Sequence, residues 1–192
     1  MGKDRLAAFS DGVIAILITI MVLELRVPHG ADWAALKTVA PAFVSYVLSF
    51  VYLAIYWNNH HHLLNTVARV DGLILWANSH LLFWLSLVPT ATAWLGDNFP
   101  APLPTAVYGG TLLMPAIAYY LLELAIIHKQ GAHSVLAHAL GRDLKGKISP
   151  VLYVAGIALA FVVPWLSIAL YVLVAVLWLV PDKRIEKVLS ER

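Results

Sequence analysis

Long apolar runs separated by short polar or basic segments dominate this chain, roughly at 5 to 27, 36 to 57, 72 to 95, 105 to 128, 147 to 163 and 166 to 181. Most meet the ~20 residues that a helix needs to cross the hydrocarbon core of a bilayer. The last two are short and flank Pro164. One long helix kinked at that proline would put Lys145 and Lys147 on the opposite side of the bilayer from Lys183 and Arg184. Two spans keep all four on one side, so the pattern predicts six helices and an all-α membrane protein. The connectors are short, and the longest, Lys129 to Gly146, leaves no room for a soluble domain. Residues 1–192 therefore read as a single six-helix transmembrane domain with no internal duplication.

Composition strengthens this reading, since 61% of residues are hydrophobic, 12% are charged and the mean hydropathy is +0.80. The net charge of +2 is distributed unevenly. With six spans, Lys3, Arg5, Arg69, Lys129, Arg142, Lys145, Lys147, Lys183, Arg184, Lys187 and Arg192 fall on one side, and only Arg26 and Lys37 on the other. Cytoplasmic loops collect Lys and Arg, so both termini are expected in the cytoplasm and the protein in the inner (plasma) membrane. No interleaved basic and aromatic patch suggests nucleic acid as a partner. Trp33, Trp57, Trp94, Trp165 and Trp178 lie near predicted interfaces, where amphipathic rings anchor helices. Asp11 within the first run, and the lack of a small-residue cleavage site, argue against a removable signal peptide. Gly2 does not begin a myristoylation signal, because Leu6 stands where Ser or Thr is required. The absence of cysteine excludes disulfides, thiolate metal sites and cysteine nucleophiles.

The first run carries the chemistry. Arg5 and Asp11 open a membrane helix, where charge is costly unless it faces protein or water. Arg5-x3-Phe9-Ser10-Asp11-Gly12-Val13 opens the first span, Trp57-Asn-Asn-His60-His61-His62 closes the second, and Leu75-Trp76-Ala-Asn78 with Ser86-Leu87-Val88-Pro89 follow in the third. These residues resemble the bacterial branch of the transmembrane protein 175 potassium channels, well over the first three spans and in hydropathy alone over the last three. The resemblance implies six spans per subunit and a homotetramer with four first helices around a central pore. It also implies moderately selective potassium conduction without the usual potassium-channel filter, no enzymatic activity and no cofactor beyond permeant K+. Animal members carry two such repeats, and the single copy here matches the bacterial form.

Helical geometry agrees with a pore-lining first span. At 100° per residue, Ile16, Thr19, Ile20 and Leu23 fall within about 100° of one another, and Asp11 projects about 140° from Ile16. The resemblance assigns the narrowest apolar ring to Ile16, further rings to Ile20 and Leu23, and the selectivity hydroxyl to Thr19. Rings of isoleucine close a narrow pore by dewetting, and a ring of hydroxyls can partly replace the hydration shell of a cation. Without the motif, the same stripe reads as ordinary helix packing.

A cytoplasmic-side polar knot is expected beside the pore, in which Arg5, Ser10 and Asp11, next to Phe9, meet His61, His62 or Asn78. Which histidine pairs with Asp11 is open, and Asp11 as a helix cap is the alternative. Three consecutive histidines point 100° apart and cannot converge on one zinc, so a metal site would need His80 or Asp71 as well. His128, His133 and His138 match no helix face. Thr105-Ala-Val-Tyr108-Gly109-Gly110 has the residues of a potassium filter in the wrong order, and Glu24 sits where it could draw cations to the pore mouth. The rival expectation is a secondary transporter or metal exporter coupled through the histidines and Glu123, which calls for broken helices or repeated halves.

Overall fold

A computed structural model describes residues 2–67, 69–131, 134, 136–137 and 144–179. The described helices are α1 (Lys3–Leu23), α2 (Trp33–Asn65), α3 (Gly72–Leu85), α4 (Val88–Asp97), α5 (Pro102–Gln130), α6 (Leu144–Leu159) and α7 (Pro164–Leu179). No strand occurs among the described residues. Lys3–Leu23, Trp33–Asn65, Gly72–Asp97 and Pro102–Gln130 are each long and apolar enough to cross a membrane, and α7 is apolar but shorter. The chain is a multi-pass membrane protein.

Polar residues set the helix ends. Asp32 accepts the Ala35 N–H at 2.8 Å and caps α2, and Asp71 accepts the Ile74 N–H at 3.1 Å and caps α3. The third apolar run is one span built from two helices. Pro89 has no N–H for the Leu85 carbonyl, so the ladder breaks at Ser86 and Leu87 before α4 resumes. Helix α2 runs on past the apolar stretch ending at 57, which makes His60, His61 and His62 helical.

The final two runs are separate helices. They fold back on each other, since Trp178 near the end of α7 donates from Nε1 to Ser149 Oγ near the start of α6 at 2.8 Å. The Tyr171 ring fills the space that two glycines leave open. A Cβ on Gly156 would lie 2.5 Å from Tyr171 Cε1, and one on Gly109 would lie 2.0 Å from its hydroxyl. In lipid, helix association relies on such close packing and on interhelical hydrogen bonds, because the surroundings are as apolar as the side chains.

Two packed cores result. One gathers Leu6, Ile14, Leu17 and Met21 of α1 with Leu53, Leu63, Ile74, Leu81, Leu122 and Ile126. The other centres on Tyr52, Leu95, Tyr108, Leu112, Tyr153 and Tyr171. Hydroxyls tie the second together, as Ser49 Oγ lies 2.7 Å from Thr92 Oγ1 and 2.9 Å from Tyr108 Oη. Helix α1 packs against α2, α3 and α4, whereas α6 packs against α5 and α7. The first helix thus lies at one side of the bundle and the last pair at the other.

Candidate ion pathway and its polar support

Burial divides α1 lengthwise. Leu6, Ser10, Ile14, Leu17 and Met21 recur every three or four residues and face the core. On the other side Phe9, Ile16, Ile20 and Leu23 are 57%, 59%, 41% and 76% exposed, with Gly12, Ala15 and Thr19 exposed among them. Ile16, Thr19, Ile20 and Leu23 therefore form one bare stripe. Thr19 Oγ1 donates to the Ala15 carbonyl at 2.9 Å, which spends its proton on the helix and leaves the oxygen lone pairs facing outward.

Behind this stripe a directed chain of hydrogen bonds joins three helices. Asn78 Nδ2 donates to Ser10 Oγ at 3.0 Å, and Ser10 Oγ donates to the Leu6 carbonyl at 2.9 Å. The Asn78 Oδ1 must then accept, so His60 Nε2, 2.6 Å away, carries the proton. The sequence His60 to Asn78 to Ser10 to Leu6 binds α2, α3 and α1 with every link buried. His60 Nδ1 is buried without a partner, which suits the neutral tautomer that this chain requires.

The structure brings together Ser10 and Asn78 of the expected knot and adds His60. His61 and His62 do not join it. His60 lies on the face of α2 that also buries Leu53, Leu63 and Leu64, and each further residue turns 100° away. Exposed His61 instead pairs with Asn65 Nδ2 at 3.1 Å, and half-buried His62 stacks edge-on against the His61 ring. Arg5 and Phe9 are exposed and Asp11 is half-buried. Among the described residues neither Arg5 nor Asp11 forms a hydrogen bond or ion pair, although Asp11 is within electrostatic reach of His60. The apolar spacing of Leu53, His60, Leu63 and Leu64 was the available signal for choosing His60.

Two ion pairs sit at helix ends. Arg26 meets Asp97 at 2.8 Å where α4 ends, and Lys129 meets Asp71 at 3.2 Å, joining α5 to the start of α3. The Ile74 N–H, with Lys129 adding to it, holds the Asp71 carboxyl below its ordinary range. His80 accepts from Trp84 Nε1 at 2.8 Å, and Glu24 is exposed just beyond α1. No group of three His, Asp or Glu side chains among the described residues is arranged to hold a metal. His128 is exposed near the end of α5, and His133 and His138 lie outside the described residues.

Residues 5–89 match the family model described as the endosomal/lysosomal potassium channel TMEM175. Over 191 residues and the full length of both chains, the protein is 56% identical to a potassium channel of Chryseobacterium sp. (strain P1-3). It is 32% identical over 187 residues to a potassium channel of Chamaesiphon minutus, covering 90% of this chain and 91% of that one. The chain belongs to the TMEM175 family. The crystal structure of a lysosomal potassium-selective channel TMEM175 homolog from Chamaesiphon minutus superimposes with a TM-score of 0.80 at 30% identity, over 92% of this chain and 95% of that one. The TMEM175 fold accordingly extends past the 5–89 segment and includes the α6–α7 hairpin region.

Proposed function

We propose that this chain is one subunit of a potassium-conducting channel, in which four copies surround an axis with their α1 helices facing it. The bare stripe of Ile16, Thr19, Ile20 and Leu23 carries the reading, in a chain whose full-length relatives are named potassium channels. Ile16, Ile20 and Leu23 form successive apolar rings. A hydrated cation cannot exchange its water for methyl groups, so a narrow ring closes by dewetting and opens when the helices rotate or part. Thr19, one turn from Ile16, offers outward lone pairs that partly replace the hydration shell of K+, and the resulting preference over Na+ is moderate.

The filter-like segment Thr105 to Gly110 plays no part in this scheme. It lies inside α5, where backbone carbonyls serve the helix, and Gly109 packs under Tyr171. At the interruption of the third span the Leu82, Phe83 and Trp84 carbonyls are occupied, accepting from the backbone N–H groups of Ser86 and Leu87 and from the Ser86 hydroxyl. The uneven distribution of Lys and Arg supports a topology with both termini in the cytoplasm and Glu24 at the outer mouth.

Purified protein reconstituted in liposomes should carry K+ down its gradient with no coupled ion, at channel rates. Flux that saturates at transporter rates, or that needs a proton gradient, would overturn the reading. Ile16→Asn should wet the tightest ring and raise resting flux. Unchanged flux from a normally assembled variant would move the constriction to Ile20 or Leu23.

A further inference from the structure

A concave site lies away from α1. Helices α2, α5 and α6, with the end of α7, enclose a cavity of about 310 Å3. Native interiors leave few voids larger than a water molecule, and this one has the size of a small-ligand site. Rings of Tyr52, Tyr56, Tyr119, Tyr153 and Trp178 form much of its wall. Three of them have their polar atoms bonded elsewhere, Tyr52 to the Tyr171 carbonyl, Tyr119 to the Asn59 carbonyl and Trp178 to Ser149. Glu123, at one end, likewise already interacts within the subunit and takes no part in choosing an occupant. A buried water needs two to four polar partners, and a wall of this kind offers few. An apolar chain suits it better.

The cavity is polarised in the same sense as a lipid. It runs from Tyr52 to Asn59 on α2, from Ala116 to Glu123 on α5 and from Tyr153 back to Gly146 on α6. Each segment is eight residues, or seven helical steps, so the site is ~10 Å deep along the helix axes. Its polar end, at Asn59 and Lys147, lies toward the basic ends of the helices, and its aromatic end lies toward their middle. Ile117 and Tyr120 are 38% and 50% exposed on the outer face of α5, so the wall opens sideways to lipid. One polar atom of the wall is unspent. The Tyr56 ring meets that of Tyr119 edge-on, yet its hydroxyl bonds to none of the described residues, and such a group is costly in apolar surroundings. Tyr56 stands one residue before the end of the apolar run at 57, where hydrocarbon gives way to the interface and lipid ester groups lie.

We propose that this cavity binds one acyl chain of a bilayer glycerolipid, with the chain between the aromatic rings and its ester carbonyl accepting from the Tyr56 hydroxyl. The tail and its ester select the lipid. The headgroup stays outside, in the interface beyond Asn59, and adds no preference. This site does not depend on the pore assignment, since none of its residues lies on α1.

Native mass spectrometry of detergent-purified, delipidated protein tests the proposal with two phosphatidylcholines that carry the same octadecenyl chains, one ester-linked and one ether-linked. The ester lipid should bind at one per subunit and raise the Tm. The ether lipid lacks the carbonyl and should bind about fivefold more weakly, the loss of one neutral hydrogen bond. Tyr56→Phe should weaken the ester lipid by the same factor and leave the ether lipid unchanged. Ester-linked phosphatidylglycerol with the same chains should match the phosphatidylcholine. Ala116→Phe fills the cavity and should abolish the stoichiometric lipid and its Tm increase. Ile117→Trp closes the lateral opening from the exposed face, carries the same expectation, and replaces Ala116→Phe if the added phenylalanine prevents folding. Equal binding of ester and ether lipid to the parent protein, or an unchanged lipid count in the filled variants, would mark the bound molecules as annular lipid and overturn the site. A preference between the two heads larger than that between ester and ether would place recognition outside the cavity and overturn it as well.

Discussion

Asn78 holds the centre of the buried chain, so its loss is felt by two partners. Asn78→Ala would leave the His60 Nε2–H without an acceptor and Ser10 without a donor in an apolar surround. One such orphaned group costs about 1–3 kcal/mol, and detergent-purified variant should show a clearly lower Tm than the parent protein. An unchanged Tm would mean that water replaces the amide. Asn78→Asp, which cannot donate from the position of Nδ2, should be no better. Thr19→Val keeps shape and removes the oxygen, so the K+ over Na+ preference in bi-ionic reversal potentials should shrink while conduction persists. A reversal potential that does not move would pass selectivity to Glu24 or to backbone carbonyls. At this scale the motif singled out Ser10, which bonds Asn78, and spacing grouped Ile16, Thr19, Ile20 and Leu23, which share one exposed face. Neither singled out His60, because three adjacent histidines look alike unless the apolar spacing of Leu53, Leu63 and Leu64 is used to phase α2.

Among the elements, α3 and α6 are each fixed by one feature that a single substitution can probe. Asp71 caps α3 and meets Lys129 of α5, and its depressed folded pKa makes its contribution fully present above the ordinary carboxylate pKa and lost as pH falls through the folded value. Asp71→Asn retains a capping oxygen but loses the ion pair, so the acid side of its Tm-versus-pH curve should be flatter than that of the parent. Curves of identical slope would show that the pair adds nothing. In α6, Gly156→Val drives branched carbon into the Tyr171 ring, which a flat aromatic side chain held by other contacts cannot vacate easily. A loss of about 1–3 kcal/mol is expected from such overpacking, read from thermal unfolding in detergent. Hydropathy alone located the apolar runs, and the charge argument correctly separated the last two. It left unseen the break at Ser86 and Leu87, because Pro89 can equally kink a continuous helix, and it cut α2 short, because Asn59 to His62 look like a terminus yet continue the ladder.

For the whole molecule, the proposed fourfold arrangement is directly testable because the chain contains no cysteine. A single Leu23→Cys, at the most exposed position of the stripe, should give disulfide-linked dimers under oxidation in membranes, whereas Val151→Cys on α6 should not. Crosslinking at 151 with none at 23 would place α6, rather than α1, between subunits. The stripe also has a genetic consequence. If every pore ring takes one side chain from each of four subunits, a cell making normal and altered chains in equal amounts builds only about one assembly in sixteen without an altered member. A single wetted position suffices to breach an apolar ring. Substitutions such as Ile16→Asn should therefore be dominant over a normal gene copy, while losses in the buried Ser10–Asn78–His60 chain, which reduce the supply of folded subunits, should be recessive.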